Sequence, residues 1–275
     1  MTEFKKKKQY GQNFLTNVAI PRRIAAESGI TSEDGVIEIG PGFGILTKEL
    51  SAIANNVVAI EIDTELMSIL PEKLSDCNNV KIINEDILKI DINDLLTNEF
   101  PNRNVCVCAN LPYYITTDIV MKLLEGEYGF KTITVMVQKE VAERFCAKPG
   151  TDGYGAITAS ISYYASVKRL FTVKAGSFDP KPKVDSAVIR FDLYDHSPVN
   201  PLSKETLFAV IKAAFLQRRK TLLNSLNSYF GDRIPKEELL SIILNCGLKE
   251  SVRGEELSII DFSKLSDQIF EYIKK

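Results

Sequence analysis

Residues 35–50 read GVIEIGPGFGILTKEL, and the order of residues within this stretch decides the fold. A short β-branched run, Gly35 to Ile39, passes directly into glycines at 40, 42 and 44, and a helix-compatible segment begins at Ile45. Strand, glycine turn, helix is the opening move of a ligand-binding α/β unit: glycines let a ligand approach the backbone where a Cβ would collide, and amides of the helix start lie nearby. The spacing is not GxGxxG, so the turn alone is a weak signal. It gains weight from Glu61, which ends the next strand where an acid can grip ribose hydroxyls.

Outward from this turn, apolar runs alternate with amphipathic ones. Strands are expected at 35–40, 57–62, 80–84, 104–109 and 132–137, with helices at 45–54, 64–74 and 118–126, the second bent or broken by Pro71. Alternation at this spacing implies right-handed crossovers and a mostly parallel sheet. A Gly/Pro-rich loop within VAERFCAKPGTDGYG (141–155) precedes two further expected strands, SISYYASVKRLFTVKAGSF (160–178) and SAVIRFDLY (186–194), joined by DPKPKVD and added antiparallel at one end of the sheet. The character changes at DHSPVNPL (195–202); beyond it the period is helical over 203–230, 236–247 and 261–275, with Ser203 as an N-cap and Gly231 and Gly247 as stops. The expected plan is therefore a Rossmann-like α/β domain over 1–197 followed by a small all-helical domain over 198–275.

Composition narrows the chemistry. At 275 residues and 45% hydrophobic content the chain can bury one large core and a second, smaller one. MTEFKKKK is followed by QYGQNFLTN where a signal peptide would carry its apolar region, and no run approaches a membrane span, so a cytoplasmic protein is expected. Five cysteines without CxxC pairs suggest neither a disulfide framework nor a zinc site, and Cys106 and Cys108 alternate along one strand as core residues do. The single histidine, His196, lies in the Pro-containing linker, which argues against Ser-His-Asp hydrolysis and histidine-based metal sites; no metal is expected. A net charge of −2 is no obstacle to nucleic-acid binding, which depends on local charge. Two basic clusters stand out, Lys5–Lys8 and Arg218-Arg219-Lys220, the latter in an expected helix with Lys212 upstream; the bland reading is a solvated tail and a solvated helix face.

Gly40, Glu61, Asp86 and Asn110 all fall at carboxyl ends of neighbouring expected strands, where open α/β sheets bind ligands. Each acid alone could be a solvated strand end or a helix cap; four strand-end residues together point to a site. Asn110 opens NLPYY, where proline removes a donor and holds the chain extended, so that carbonyls are presented for use. An adenine amine is a poor nucleophile because its lone pair is delocalised into the ring. The Asn110 side-chain oxygen and the Pro112 carbonyl could hold both of its N–H bonds and favour a pyramidal nitrogen aimed at an electrophile, with no strong base. Tyr113 would supply a flat face for the base and Phe178, in GSFDPKP, the opposite one, whereas Tyr114 reads as packing.

GQNFL (11–15), EIGPGFGILT (38–47), EID (61–63), EDIL (85–88), NLPYYITT (110–117) and FDPKPKVDSAV (178–188) together resemble the ribosomal RNA adenine dimethyltransferases, specifically the small-subunit KsgA/RsmA family, over nearly the whole chain. The resemblance implies S-adenosyl-L-methionine as methyl donor and two adjacent adenines near the 3′ end of 16S rRNA as substrate, within a small ribosomal subunit or its precursor. A monomer is expected. By position it implies a donor site of Asn13, Leu15, Gly40, Glu61, Asp86 and Asn110, a target site of Asn110, Pro112, Tyr113 and Phe178, and phosphate contacts from the Arg218 cluster and the lysine run. The related Erm enzymes, which modify large-subunit rRNA, more often carry NIPY, yet Asp118 after ITT is an Erm-like feature. An NAD-dependent dehydrogenase would use the glycine turn and Glu61 but leaves NLPY without a role, and a non-catalytic RNA chaperone would use only the basic clusters.

Overall fold

The computed structural model describes residues 13–217 and 219–274. The chain divides into two compact units, one formed by the chain up to Ala142 together with Ser166–Leu193, the other by Glu143–Ala165 together with Tyr194–Lys275.

The first unit is organised by strands β1 (Phe14–Leu15), β2 (Gly35–Ile39), β3 (Asn56–Glu61), β4 (Val80–Asn84), β5 (Val105–Asn110), β6 (Thr132–Gln138), β7 (Ala165–Val173), β8 (Phe178–Asp179) and β9 (Ser186–Leu193). Seven of them form one sheet in the order β4-β3-β2-β5-β6-β9-β7. Pairing is parallel from β4 through to β6, and β9 runs antiparallel to β6. The five expected parallel strands are all present, within a residue or so of their predicted bounds. β2, β3 and β5 are almost wholly buried, as strands covered on both faces must be, which is why their sequences are near-continuous Val/Ile/Cys/Ala runs. Cys106 and Cys108 lie in the core with Ile24, Leu46, Leu50 and Val57, and the burial of each large aliphatic side chain contributes on the order of 1.5–3 kcal/mol. The order reverses between β2 and β5, and this switch point opens a crevice at the carboxyl ends of the strands.

Local sequence explains most boundaries. Asp63 caps the helix Thr64–Met67 through a hydrogen bond from Glu65 N, and the helical stretch expected at 64–74 is broken, resuming at Leu70–Lys73 with Pro71 in its first turn, where a missing N–H costs little. One expectation for this unit changes, and one feature was unforeseen. The first half of the predicted strand 160–178 is instead the end of a helix, Ala156–Tyr164, and extended structure begins only at Ala165. Its Ile-Ser-Tyr-Tyr alternation mimics a strand, but the helix is apolar nearly all round and buried. The pairing of β1 with β8, Leu15 opposite Phe178, has no sequence signal at two residues per strand.

In the second unit the helices Lys204–Ala214, Leu222–Phe230, Lys236–Asn245 and Ile259–Lys274 enclose a core that includes Leu207, Ile211, Leu226, Ile243, Phe262 and Leu265. Ser203 caps the first by accepting from Thr206 N, and Gly247 follows the third at φ +78°, the left-handed region that glycine enters without cost. The single helix expected over 203–230 is two, because a turn follows Ala214 and Thr221 starts a new helix by capping Asn224 N. The expected boundary at 197 also shifts in character: Glu143–Ala165 belongs with the later helices, since Tyr154 and Ala159 sit in their core and Tyr154 Oη donates to Leu257 O at 2.8 Å. Among the described residues no helix is long and apolar enough to cross a membrane.

Candidate active site

Strand register builds the site. Ile39 stands opposite Ile60 on one side and Ala109 on the other, so the next residue of each strand, Gly40, Glu61 and Asn110, arrives at the same level along the sheet's edge. Asp86 follows β4 by two residues, and Glu61 is itself level with Asn84. One cavity at this edge is lined by Asn13, Leu15, Gly40, Glu61, Asp86, Asn110, Pro112 and Tyr113, which gathers every sequence-predicted site residue except Phe178.

The glycine turn forms the cavity's near wall. Gly40 and Gly42 have φ of +70° and +58°, where an L side chain is strained. A Cβ at Gly40 would meet nothing within 4 Å: the space in front of it is open, a cradle in which a ligand can lie against the backbone. Gly42 N donates to Glu61 Oε2 at 3.3 Å, and Asp63 N donates to Oε1 at 2.9 Å, so both oxygens of this buried carboxylate are oriented by backbone while keeping lone pairs to spare. Burial raises the Glu61 pKa, and these amides oppose the shift. Across the cavity, Asp86 Oδ1 accepts from Leu88 N at 3.0 Å, so the capping reading of this residue holds for one oxygen even as the side chain lines the cavity. Phe14 and Phe43, with ring centroids 4.5 Å apart, add an aromatic corner.

Asn110 is half-buried and turned toward the cavity. Its Nδ2 donates to the Asn13 carbonyl at 3.2 Å, which commits the donor end of the amide and leaves Oδ1 as the end with no hydrogen bond among the described residues. That contact, with the β1–β8 pairing, explains physically why the N-terminal segment belongs to the site, something legible in the sequence only through family resemblance. Tyr113 is pinned by its hydroxyl, 2.8 Å from Ser186 Oγ, and burial raises its pKa above the usual phenol value.

Three expectations need revision. The Pro112 carbonyl already accepts from Ile115 N (3.4 Å) and Thr116 Oγ1 (3.0 Å), which uses both of its lone pairs. The Leu111 carbonyl, one residue earlier, receives no hydrogen bond among the described residues, while Leu111 N is tied to Met136 O. Phe178 is 4% exposed, packs in the core with Leu15 and is not among the residues lining the cavity, where it was expected. Tyr114, read as packing, is 60% exposed at the cavity rim.

Glu38 went unread in the sequence. It is 1% exposed, lines the cavity, and neither carboxyl oxygen has a hydrogen-bond partner among the described residues. Desolvation pushes its pKa up to about 8; the Thr47 hydroxyl lies near enough to oppose the shift but not in hydrogen-bond geometry, and the negative charge of Glu61 adds to it. The signal was present: an acid inside GVIEI, a central strand buried on both faces, has no solvent to point to.

Of the basic clusters, Lys5–Lys8 and Arg218 lie outside the described residues. Arg219 and Lys220 are exposed, and they sit in the turn between two helices instead of on a helix as expected; Lys212 occupies the last turn of Lys204–Ala214.

A doubly wound sheet with an open glycine turn, a buried strand-end carboxylate and an acceptor-rich Asn-Leu-Pro-Tyr turn at its switch point defines an α/β ligand-binding fold. Comparison with known proteins narrows this. The family described as "Ribosomal RNA adenine dimethylase" matches residues 3–266. The protein named "Ribosomal RNA small subunit methyltransferase A" from Alkaliphilus oremlandii is 43% identical over 97% of this chain and 93% of its own length, and that of Lachnoclostridium phytofermentans is 45% identical over 97% and 92%. Among solved structures, a dimethyladenosine transferase from Plasmodium falciparum superposes with a TM-score of 0.78 at 27% identity, covering 95% of this chain and 98% of that one. The 23S rRNA methyltransferase ErmE superposes at 0.73 with 25% identity, covering 94% and 100%. The chain belongs to the ribosomal RNA adenine dimethylase family and is a methyltransferase acting on ribosomal RNA. The dehydrogenase reading, which rested on the glycine turn and Glu61 alone, falls with this.

Proposed function

We propose that this protein dimethylates the exocyclic amines of two adjacent adenines near the 3′ end of 16S rRNA, in the small ribosomal subunit or its precursor, using S-adenosyl-L-methionine, and that it works as a cytoplasmic monomer. The observation that carries the chemistry is the pair of hydrogen-bond acceptors at the end of β5: Asn110 Oδ1, freed by the commitment of Nδ2 to Asn13, and the Leu111 carbonyl. The similarity at 43–45% identity to proteins named as small-subunit enzymes favours that substrate over the large-subunit alternative, despite Asp118.

Bound S-adenosylmethionine supplies a methyl group on a positively charged sulfur. In this reading Glu61 accepts from ribose hydroxyls, the Gly40 cradle admits the ligand against the backbone, and Asp86 takes an adenine amine; the lone pairs that Glu61 and Asp86 keep and the open space at Gly40 support these roles. In the first transfer the target amine, donating one N–H to Asn110 Oδ1 and the other to the Leu111 carbonyl, is held so that its lone pair faces the methyl carbon; in the second, the one remaining N–H keeps a single acceptor. As the N–C bond forms and the C–S pair stays on sulfur, positive charge grows on the nitrogen, and both acceptors then stabilise it; the surplus proton leaves afterwards without a strong base. Pro112 fixes the turn through its own two hydrogen bonds, and the anchored Tyr113 ring offers the base a face, stacking being worth on the order of 1–3 kcal/mol.

The test is methylation of purified small and large subunits with S-adenosylmethionine, followed by nuclease digestion and mass spectrometry. Dimethyladenosine confined to the 3′ region of 16S rRNA is expected; label on 23S rRNA with none on 16S would assign the chain to the Erm type.

A further inference from the structure

Asp86 stands on no regular element: the segment 85–90 that presents it runs as a bend and turns from the end of β4 to the helix Ile92–Glu99. Its entry is fixed, since Glu85 N and Asn84 Nδ2 both donate to the Glu61 carbonyl, at 3.1 Å and 2.7 Å. Its exit is fixed as well, because Asp91 caps the following helix by accepting from Asn93 N and Asp94 N. The middle is held from outside. Lys122, in the last turn of the helix Thr116–Glu125, donates from Nζ to Leu88 O at 2.8 Å and to Ile90 O at 2.9 Å. Neither carbonyl has another hydrogen-bond partner among the described residues. A lysine in a last turn ordinarily faces the carbonyls of its own helix. Lys122 instead reaches a loop 32 to 34 residues back in sequence. Leu88 is thereby engaged on both sides: its carbonyl accepts from the ammonium, and its N–H donates to Asp86 Oδ1 at 3.0 Å, the bond that orients the carboxylate in the cavity wall.

Resting on the donor-site reading of Asp86, we propose that Lys122 is a positioning residue for recognition of the donor's adenine: it locks the loop so that Leu88 N holds Asp86 Oδ1 and Oδ2 is left for the 6-amino group. Oδ2 receives no hydrogen bond among the described residues. Lys122 is not among the residues lining the cavity and acts only through the loop. A carboxylate with one oxygen committed to Leu88 keeps one acceptor in a fixed place, which rewards an N–H donor at the purine 6-position and repels an oxygen there. Released from the ammonium, Leu88 no longer fixes Asp86, and the carboxylate can turn to solvent and discriminate less. The same helix braces the target side. At its first turn Thr116 Oγ1 donates to Pro112 O at 3.0 Å, so one rigid element of ten residues holds the Asn-Leu-Pro-Tyr turn at one end and the Asp86 loop at the other.

Two ligands separate this role from simple support of the chain. S-adenosylhomocysteine carries the 6-amino group, whereas S-inosylhomocysteine has a carbonyl oxygen in its place and offers Asp86 nothing to accept. In titration calorimetry of the full chain, wild type should bind the adenosyl ligand at least about tenfold more tightly than the inosyl one. Lys122→Met keeps the length of the side chain and loses the ammonium; it should weaken the adenosyl ligand about tenfold, leave the inosyl ligand nearly unchanged, and so bring the two within about threefold of each other. In methylation of small subunits its KM for S-adenosylmethionine should rise by a similar factor while kcat stays within about twofold, the signature of lost ground-state binding. Lys122→Arg, which keeps charged N–H donors, should recover both the ligand ratio and the KM. Equal weakening of the two ligands by Lys122→Met, an unchanged ratio, or no recovery with Lys122→Arg overturns the proposal. Should circular dichroism show Lys122→Met unfolded, Lys122→Gln takes its place in the same measurements. Wild type that does not distinguish the two ligands would instead sink the donor-site role of Asp86, and wild type that binds neither the methyltransferase reading, with this proposal falling in both cases.

Discussion

The protonated Glu38 makes the empty protein's stability depend on pH in a direction opposite to the usual carboxylate. Its pKa is about 8 folded against 4.5 as the reference for the unfolded chain, so as pH rises the unfolded state loses its proton first and is favoured. Stability from this group is intact below pH 4.5 and declines until the folded group also ionises near pH 8. At 1.36 kcal/mol per pH unit the penalty is about 1 kcal/mol at pH 5 and about 4 kcal/mol at pH 8. Glu38→Gln keeps the size and the neutral state but removes the titration. In urea melts without ligand, the variant should therefore match wild type near pH 4.5 and exceed it by about 4 kcal/mol at pH 8, a gain of roughly 10 °C in thermal midpoint. A difference between the two proteins that does not change from pH 5 to pH 8 would refute the reasoning, because a purely steric effect of the amide carries no pH dependence.

Other consequences are smaller in scope. Tyr113→Phe loses the hydrogen bond to Ser186 and should cost about 1 kcal/mol in denaturant melts while methylation stays within a fewfold, whereas Tyr113→Ala, without the ring, should lower the rate far more. Gly42→Ala places a Cβ at φ +58° and 3.1 Å from the Phe14 ring, so stability should drop by about 1–2 kcal/mol and donor affinity with it, both read by calorimetry. Replacing Arg219 and Lys220 by Ala should reduce the salt dependence of rRNA binding, the log–log slope falling by about 0.7 for each single-strand phosphate that is no longer neutralised; an unchanged slope would make the turn a merely solvated surface.

The sheet was readable because its central strands are buried on both faces, so that runs such as VVAIE and VCVCA carry the fold in composition alone. Strand ends then placed Gly40, Glu61, Asp86 and Asn110 together, since parallel register levels the carboxyl termini. What failed to show was set by hydrogen bonds too local or too distant for periodicity. Thr221 divides a continuous helical period with one cap, β1 meets β8 over two residues from opposite ends of the unit, and the carbonyl available beside Asn110 belongs to Leu111 only because Thr116 and Ile115 fold back on Pro112. Phe178 looked like a binding aromatic in FDPKP, yet that same β1–β8 pairing places it in the core beside Leu15.

The orientation of the target amine by Asn110 is best tested by single-turnover methylation of small subunits with saturating S-adenosylmethionine, comparing wild type with Asn110→Ala and reading dimethyladenosine by mass spectrometry. Loss of the Oδ1 acceptor should slow the chemical step about 100- to 1,000-fold, as removal of one preorganised transition-state hydrogen bond does. A folded, donor-binding Asn110→Ala protein that methylates within threefold of wild type would contradict the account.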